Sequence, residues 1–305
     1  KPVASVQLFI DRAERRVFWA GAALLATSLV VGVAVTLWLV GSVRRLRRFA
    51  QQAQAGQAQT LPAVPGELGD LAVAMDDMRR RLEGREQLEH DVRALTHELK
   101  SPLAALCASG ELLQDELPEA DRRRFAGQVL DQTARLQTLV ERVLALSQLE
   151  AQVGLGERQR IDLVDWAAVQ LERQASRLAQ QELSIVWTAR EPVAVDADTA
   201  LLELAFGNVL INAIDFAPAG STLELAVSAT PTTARLALRD HGPGVPPGGF
   251  TQLGKRFFST ARPGSLVKGS GLGLAIARRV AELHGGRLAF EAAEPGLRVT
   301  LVLPR

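Results

Sequence analysis

The sequence predicts a multidomain chain: a transmembrane helix, a short helical relay, an antiparallel helical hairpin that would form a four-helix bundle as a dimer, and a C-terminal α/β two-layer domain. Three observations within its 305 residues carry this reading. Val17–Val40 is an unbroken uncharged run, leucines recur at helical spacing from about 68 to 149, and beyond about 155 strand-like and helical runs alternate. Such alternation indicates an α/β layer domain, and the length suits roughly two domains of about 150 residues each.

The first element is VFWAGAALLATSLVVGVAVTLWLV, residues 17–40. At about 1.5 Å per residue it covers roughly 36 Å, enough for a bilayer core with some tilt. Phe18 and Trp19 mark one end and Trp38 the other, as aromatic residues do at headgroup level. A signal peptide is excluded by the length and by the lack of a small-residue cleavage site. Arg44, Arg45, Arg47 and Arg48 follow at once, whereas Arg12, Arg15 and Arg16 on the other flank are offset by Asp11 and Glu14. This modest asymmetry puts the C-terminal side in the cytoplasm. The chain opens on Lys1 rather than methionine, so residues 1–16 are expected to be the end of an extracytoplasmic region that begins upstream.

Residues 41–84 read as the relay. Val43, Leu46 and Phe49 start one short helix, GQAQTLPAVPG (56–66) is a connector, and Leu68, Leu71, Met75, Met78 and Leu82 step through a heptad seam. A seam this narrow is buried only against partner helices, which predicts a homodimer. The seam resumes in a different phase at Leu88, Val92, Leu95 and Leu99, and a phase break locally re-winds a coiled coil. The hairpin, 85–152, follows. Its first helix runs to about Leu113, LPEAD (117–121) turns the chain with Pro118 acceptable near a helix start, and a second helix covers about 121–149. Two such hairpins make a four-helix bundle.

Within the first hairpin helix, ALTHELKSPLAAL (94–106) sets an apolar stripe, Leu95, Leu99, Leu103 and Leu106, beside a polar cluster of Thr96, His97, Glu98, Lys100 and Ser101. Pro102 sits inside the run, where it removes a helical hydrogen bond and tends to kink the preceding turn. Alone, His97 reads as an ordinary helix-surface histidine.

The bulk numbers exclude several classes. A net charge of +1, with no basic stripe interleaved with aromatics, gives no reason to expect nucleic acid. Cys107 is the one cysteine, so no internal disulfide forms, and it is expected as a small buried or half-buried side chain. His90, His97, His241 and His284 show no metal-ligand spacing, which argues against a structural zinc site. His90 reads as an exposed helix residue, His241 as a loop residue and His284 as a helix-end residue.

In the C-terminal domain, 153–305, strand-like runs are expected at 182–189, 221–229, 233–240, 286–292 and 296–303, and helices at about 163–180, 197–216 and 271–284. The short turn between the second and third runs makes the sheet at least partly antiparallel. DHGPGVP (240–246) follows a strand and GSGLGLAI (269–276) opens a helix. Glycines there let backbone N–H groups approach phosphate, with the helix dipole in support. Neither cluster is a P-loop, since no Gly-Lys-Ser/Thr follows, and neither has the acidic residue of a Rossmann fingerprint. In LELAFGNVLINAIDFAP (202–218), Asn208 and Asn212 lie one turn apart on an otherwise apolar helix. Paired amides are poor core residues unless partnered, and amide oxygens suit a hard cation such as Mg²⁺, which keeps waters and substrate phosphates.

Together these stretches resemble one family. Thr96-His97-Glu98-Leu99-Lys100-Ser101-Pro102-Leu103, then Asn208/Asn212, Asp240-x-Gly242-x-Gly244, the pair Phe257-Phe258, and Gly269-x-Gly271-x-Gly273-Leu274 occur in the order of the H, N, G1, F and G2 boxes of sensor histidine kinases. GELGDLAVAMDDM (66–78) is similar to the second half of a HAMP relay domain, although the usual early proline of the first HAMP helix is absent. HELKSPLAA and NAIDFAP look like the CreC-type subgroup. The resemblance implies a Bergerat (GHKL-type) ATPase domain after the histidine-bearing hairpin, with ATP and Mg²⁺ as cofactors. It also implies a homodimer in the bacterial inner membrane, in contact with membrane lipid, with cytoplasmic kinase domains and a cognate response regulator as partner. His97 would be the phosphoacceptor, Glu98 its general base, and Asn212 the Mg²⁺ ligand. Asn208 would assist at the phosphates, Asp240 would accept from the adenine amino group, and Gly269, Gly271 and Gly273 would flank the triphosphate. Residues 250–268 would form a lid, with Arg262 and Lys268 as phosphate contacts. A neutral, exposed imidazole beside a carboxylate suits attack on a γ-phosphate, and Pro102 would help expose the ring by a local bend.

Three departures from the family pattern bear on this. Asp215 stands where a Lys or Arg is usual, removing a phosphate partner, and would instead support the metal through water. Phe216 replaces a common tyrosine. Ser101 occupies the position where Thr or Asn orients water for dephosphorylation, and it keeps the hydroxyl. Two other readings remain open at this stage: a non-catalytic nucleotide-binding membrane relay, for which Asp215 speaks, and another ATPase sharing the nucleotide fold.

Overall fold

The computed structural model describes residues 3–54, 67–152, 154–261, 263 and 269–305. It divides into two compact units, Lys1–His90 and Asp91–Arg305.

In the first unit, α1 runs from Val3 to Gln54. Within it Val17–Arg45, at mean hydropathy 2.3, is long and apolar enough to cross a membrane. The relay's first helix, expected as a separate element from residue 43, is instead the continuation of α1. The cause is local: Gly41 is the only Gly or Pro between Trp38 and Gln54, and an isolated glycine costs only about 1 kcal/mol relative to alanine. The connector 56–66 lies outside the described residues. The next helix, α2, spans Glu67–Leu112; in this unit its seam residues Met78 and Leu82 are exposed.

The second unit opens on the rest of α2, and α3 (Glu119–Ala151) completes the hairpin behind Pro118. Pro118 precedes the first turn, where a missing N–H matters least. Ser109 Oγ donates to Gln128 Oε1 across the hairpin, at 3.3 Å. Leu139, Leu146 and Leu149 of α3 are buried, and Leu95 and Leu99 of α2 pack against the same core. Pro102 is buried and α2 passes through it without interruption, so a proline helix-breaker is tolerated here. Cys107 is exposed, correcting its expected burial: it lies one turn beyond Leu103, which is 56% exposed in the single chain as well.

The α/β domain begins with β1 (Gln159–Asp162) and α4 (Leu163–Arg173). Asp162 caps α4, accepting from Val164 N at 2.8 Å and Asp165 N at 3.2 Å, which satisfies two of the amides a helix start leaves open. Then come α5 (Ala175–Gln180), β2 (Ser184–Arg190), β3 (Ala194–Ala197) and α6 (Thr199–Phe216). β4 (Thr222–Ala229), β5 (Thr233–Arg239), a 3₁₀ turn at Phe250–Gln252, α7 (Gly273–Leu283), β6 (Arg287–Ala292) and β7 (Leu297–Pro304) complete it.

The main sheet has the order β2-β4-β5-β7-β6. β2 and β4 are parallel and the remaining pairs antiparallel, so the sheet is mixed, in keeping with its partly antiparallel expectation. β1 and β3 form a separate two-stranded ladder. At four residues each, they are too short to show a period in the sequence. Leu223, Leu225 and Val227 of β4 and Ala234, Leu236 and Leu238 of β5 alternate into the core, where they meet one side of α6 and α7. α6 is apolar enough to pass for a membrane span by composition, yet Leu202, Ala205, Phe206, Val209 and Leu210 are buried under the sheet. Trp166 of α4 packs edge-on against Phe206, with ring centroids 5.7 Å apart. His284 ends α7 as expected but is buried. Its Nδ1 lies 2.8 Å from the Val280 carbonyl and its Nε2 accepts from Asp198 N at 3.1 Å, so the ring ties α7 to the start of α6.

Candidate functional site: a nucleotide cavity and an exposed histidine

The periodicity of α6 makes the site. Its apolar stripe fills the core, and the opposite stripe, Asn208, Ile211, Asn212 and Asp215, turns into a cavity between α6, the end of β5 and the start of α7. Asn208 Nδ2 donates to the Leu204 carbonyl at 2.8 Å, which leaves its amide oxygen toward α7. Asp215 Oδ1 pairs with Arg177 Nη2 of α5 at 3.0 Å, and only 13% of the Asp215 side chain is exposed. The acidic residue at this position thus brings a guanidinium with it.

Asp240 ends β5 at the base of the cavity and is 3% exposed. Its Oδ1 accepts from Gly242 N at 2.9 Å and Leu297 N at 3.3 Å. Burial nevertheless dominates and raises its pKa above the ordinary carboxylate value, against the lowering effect of those hydrogen bonds. Gly296 lets the chain approach: a Cβ there would lie 1.8 Å from the Asp240 carbonyl oxygen, at a φ of 108°. Sequence reasoning attached no role to Gly296, and its only sign was a Pro-Gly step before the last strand.

Gly244, Gly269, Gly271, Gly273 and Leu274 line the cavity. Gly271 has φ 66°, and a Cβ on it would meet the Phe257 carbonyl carbon at 2.5 Å. Phe257 itself has φ 60°, an uncommon conformation for a bulky residue, and Gly271 supplies the space for it. As a result Phe258, not Phe257, reaches the cavity. Gly242 also stands back from the lining, giving its N–H to Asp240. α7 starts at Gly273 without a side-chain cap, so its first amides face the cavity as an anion site would require. Arg262 and Lys268 lie outside the described residues. Leu253, Ser259 and Thr260, from the described part of the expected lid, line the cavity, and so does Arg142 of α3; sequence reasoning singled out none of these four. Among the described residues no three His, Cys, Asp or Glu converge as a metal cage. The amide of Asn212 at the cavity fits a Mg²⁺ whose other ligands are phosphate oxygens and water.

His97, Glu98 and Ser101 lie on α2 and do not line the cavity. His97 and Ser101 are exposed and Glu98 is half-buried. Thr96 Oγ1 donates to the Val92 carbonyl at 2.7 Å, one turn back. The ring therefore stands open to solvent beside a carboxylate, away from the packed leucine face.

The ATPase domain rests on the hairpin. Arg256 bridges Asp91 of α2, at 2.6 Å, and Glu150 of α3. Arg279 of α7 donates to the Leu149 carbonyl at 3.1 Å and the Gln152 carbonyl at 2.9 Å.

Comparison with known proteins agrees with this geometry. Residues 92–152 match the His Kinase A (phospho-acceptor) domain, and residues 197–305 match the histidine kinase-, DNA gyrase B- and HSP90-like ATPase domain. The chain is 38% identical over 302 residues to the sensor protein CreC of Escherichia coli K12, covering 97% of this chain and 62% of that protein. It is 31% identical to the sensor protein QseC of the same strain, over 76% of this chain and 51% of QseC. The chain thus spans about half to three-fifths of the length of these relatives. The fold is shared with the histidine kinase ThkA, solved in complex with response regulator TrrA, at TM-score 0.60 and 19% identity, over 76% of this chain and 66% of that one. An ATPase domain of this type implies ATP binding. With a phospho-acceptor domain and such an ATPase domain in this order, and CreC-like sequence along almost its whole length, the chain belongs to the two-component sensor histidine kinases.

Proposed function

We propose that this chain is a homodimeric sensor kinase of the bacterial inner membrane that phosphorylates His97 from Mg·ATP and passes the phosphoryl group to an aspartate of a cognate response regulator. The observation that carries the proposal is the exposed His97, followed by the half-buried Glu98, in the same unit as a cavity lined by Asn212, Asp240 and a glycine-rich helix start. In the transfer, an imidazole nitrogen forms the N–P bond, the bond from the γ-phosphorus to the bridging oxygen breaks, and ADP leaves. Glu98 takes the ring proton. Mg²⁺, bound through Asn212, would screen charge on the phosphates. Asp240 would accept from the adenine amino group.

Apolar exposure on the hairpin supports the dimer: Leu103 is 56%, Leu130 71% and Leu144 56% exposed in the single chain. Residues of this kind on paired helices are buried by a second hairpin. The apolar length of α1 and the arginines after it support anchoring with the kinase domains on the cytoplasmic side. The ThkA complex with a response regulator supports such a partner; it would dock on the bundle around residues 96–103, where the exposed Ser101 would serve dephosphorylation. Residues 41–84 would act as the HAMP relay between membrane and bundle.

The test is incubation of the full chain, in detergent, with γ-labelled ATP. Label should remain on the protein, require Mg²⁺, and move to an added receiver protein. Asn212→Ala should weaken Mg²⁺-dependent nucleotide binding by about tenfold or more, the worth of one lost contact to a charged group. Unchanged affinity in titrations with and without Mg²⁺ would remove Asn212 from the metal. ATP turnover that leaves no label on protein would favour an ATPase of the same fold.

A further inference from the structure

The ATPase domain does not close its cavity alone. Arg142 belongs to α3 of the hairpin, yet it lines the cavity with Nη1 3.1 Å from Ser270 Oγ. Ser270 sits between Gly269 and Gly271, at the loop that opens α7. Among the described lining residues Arg142 is the single basic side chain, whereas Asp215 and Asp240 supply two carboxylates. A triphosphate carries about four negative charges even before it meets those carboxylates, and a planar guanidinium binds phosphate oxygens in a fork that a point charge does not reproduce.

Nor is Arg142 a loose surface group. α3 is held along α7 by the two hydrogen bonds from Arg279, Glu150 of α3 pairs with Arg256 of the segment before α7, and Leu146 and Leu149 enter the shared core one and two turns farther along α3. The backbone that carries Arg142 is therefore fixed against the glycine loop.

We propose that Arg142 is a triphosphate ligand that the phosphotransfer hairpin contributes to the nucleotide site. The inference rests on the reading of this cavity as the ATP site. Its consequence is a coupling: the triphosphate bridges α7 and α3, so nucleotide favours the docked arrangement and docking tightens nucleotide, by the same factor. A kinase built this way senses how many phosphates its nucleotide carries through the helix pair that also carries His97.

The experiment is calorimetric titration of the full chain in detergent with Mg·AMPPNP and, separately, with AMP, for the wild type, Arg142→Ala and Arg142→Lys. Arg142→Ala should weaken AMPPNP binding about tenfold, the scale of one charge-assisted hydrogen bond, and leave AMP binding within about twofold. Arg142→Lys should fall between wild type and alanine for AMPPNP, because it keeps the charge and loses the fork. Equal losses for AMPPNP and AMP would make Arg142 a support of the loop rather than a ligand, and equal affinities of wild type and Arg142→Ala for AMPPNP would also overturn the proposal. Wild-type binding reports on the ATP site itself, separately from the variant ratio; no binding of either nucleotide by the wild type would remove both.

Discussion

Replacing His97 by glutamine should leave nucleotide binding at the wild-type level and reduce protein labelling from γ-labelled ATP to background. His97 is exposed on α2 and does not belong to the buried core, so its loss creates no cavity. Glutamine is among the better helix formers, whereas histidine ranks lower, so α2 should not be weakened. Glutamine keeps polar reach and lacks a nucleophilic nitrogen, because the amide lone pair is delocalised. Removing a nucleophile costs what the covalent step is worth, and a general base alone typically contributes about 10²–10⁴-fold. Glu98→Gln should accordingly retain a slow, measurable labelling while His97→Gln retains none. Circular dichroism and AMPPNP titration on both variants check that fold and site survive. Undiminished labelling in His97→Gln would refute the assignment.

Asp240→Asn should lower nucleotide affinity by about ten- to a hundredfold, the range for losing a hydrogen bond to a charged group. Asp240 Oδ1 already serves Gly242 N and Leu297 N, and asparagine can keep that acceptor. The change falls on the other oxygen, which becomes an NH₂ and opposes the adenine amino donor instead of accepting from it. The pH dependence follows from the direction of the shift. Burial raises the pKa of Asp240, and the charged carboxylate is the form that accepts. Nucleotide affinity should therefore fall as pH drops through this raised value, beginning above the ordinary carboxylate range of about 4. Stability moves the other way. A raised folded pKa contributes stability that is fully present below the unfolded value and lost as pH rises through the folded one. Thermal unfolding of the nucleotide-free protein should thus show wild type losing ground to Asp240→Asn over that window. A parallel pair of curves, or an asparagine variant that binds nucleotide as tightly as wild type, would contradict this role.

Much of the fold and site was legible because its signals are local. The N-box amides lie one helical turn apart, so a period of 3.6 places both in the cavity once α6 is recognised. Asp240 and the glycines at 269, 271 and 273 flank elements whose strand and helix patterns are plain, and the two-layer domain has its five main strands where alternation puts them. What escaped depends on distant partners or on short segments. Arg142 meets Ser270 across 128 positions and Asp215 meets Arg177 across 38; nothing in the neighbourhood of either arginine records the encounter. β1 and β3 are visible only as a pair, each too short to alternate alone. Phe257 and Phe258 are indistinguishable as a dipeptide, and the left-handed turn at Phe257 decides which one reaches the cavity. Cys107 lies one turn beyond Leu103, and both are exposed in the single chain, which apolar spacing alone does not record. Val43, Leu46 and Phe49 show helical spacing but not whether their helix is separate from the apolar one before it, and α1 runs through both.

In the proposed reaction one imidazole, exposed on α2, receives phosphate from a nucleotide held by the ATPase domain. The most direct measurement is peptide mapping of the full chain after incubation with Mg·ATP and quenching in base. A single acid-labile, base-stable phosphate is expected, on the peptide that contains His97. A stable phosphate on a hydroxyl residue, a phosphohistidine at His90, His241 or His284, or ATP consumption with no phosphate on the protein would contradict it.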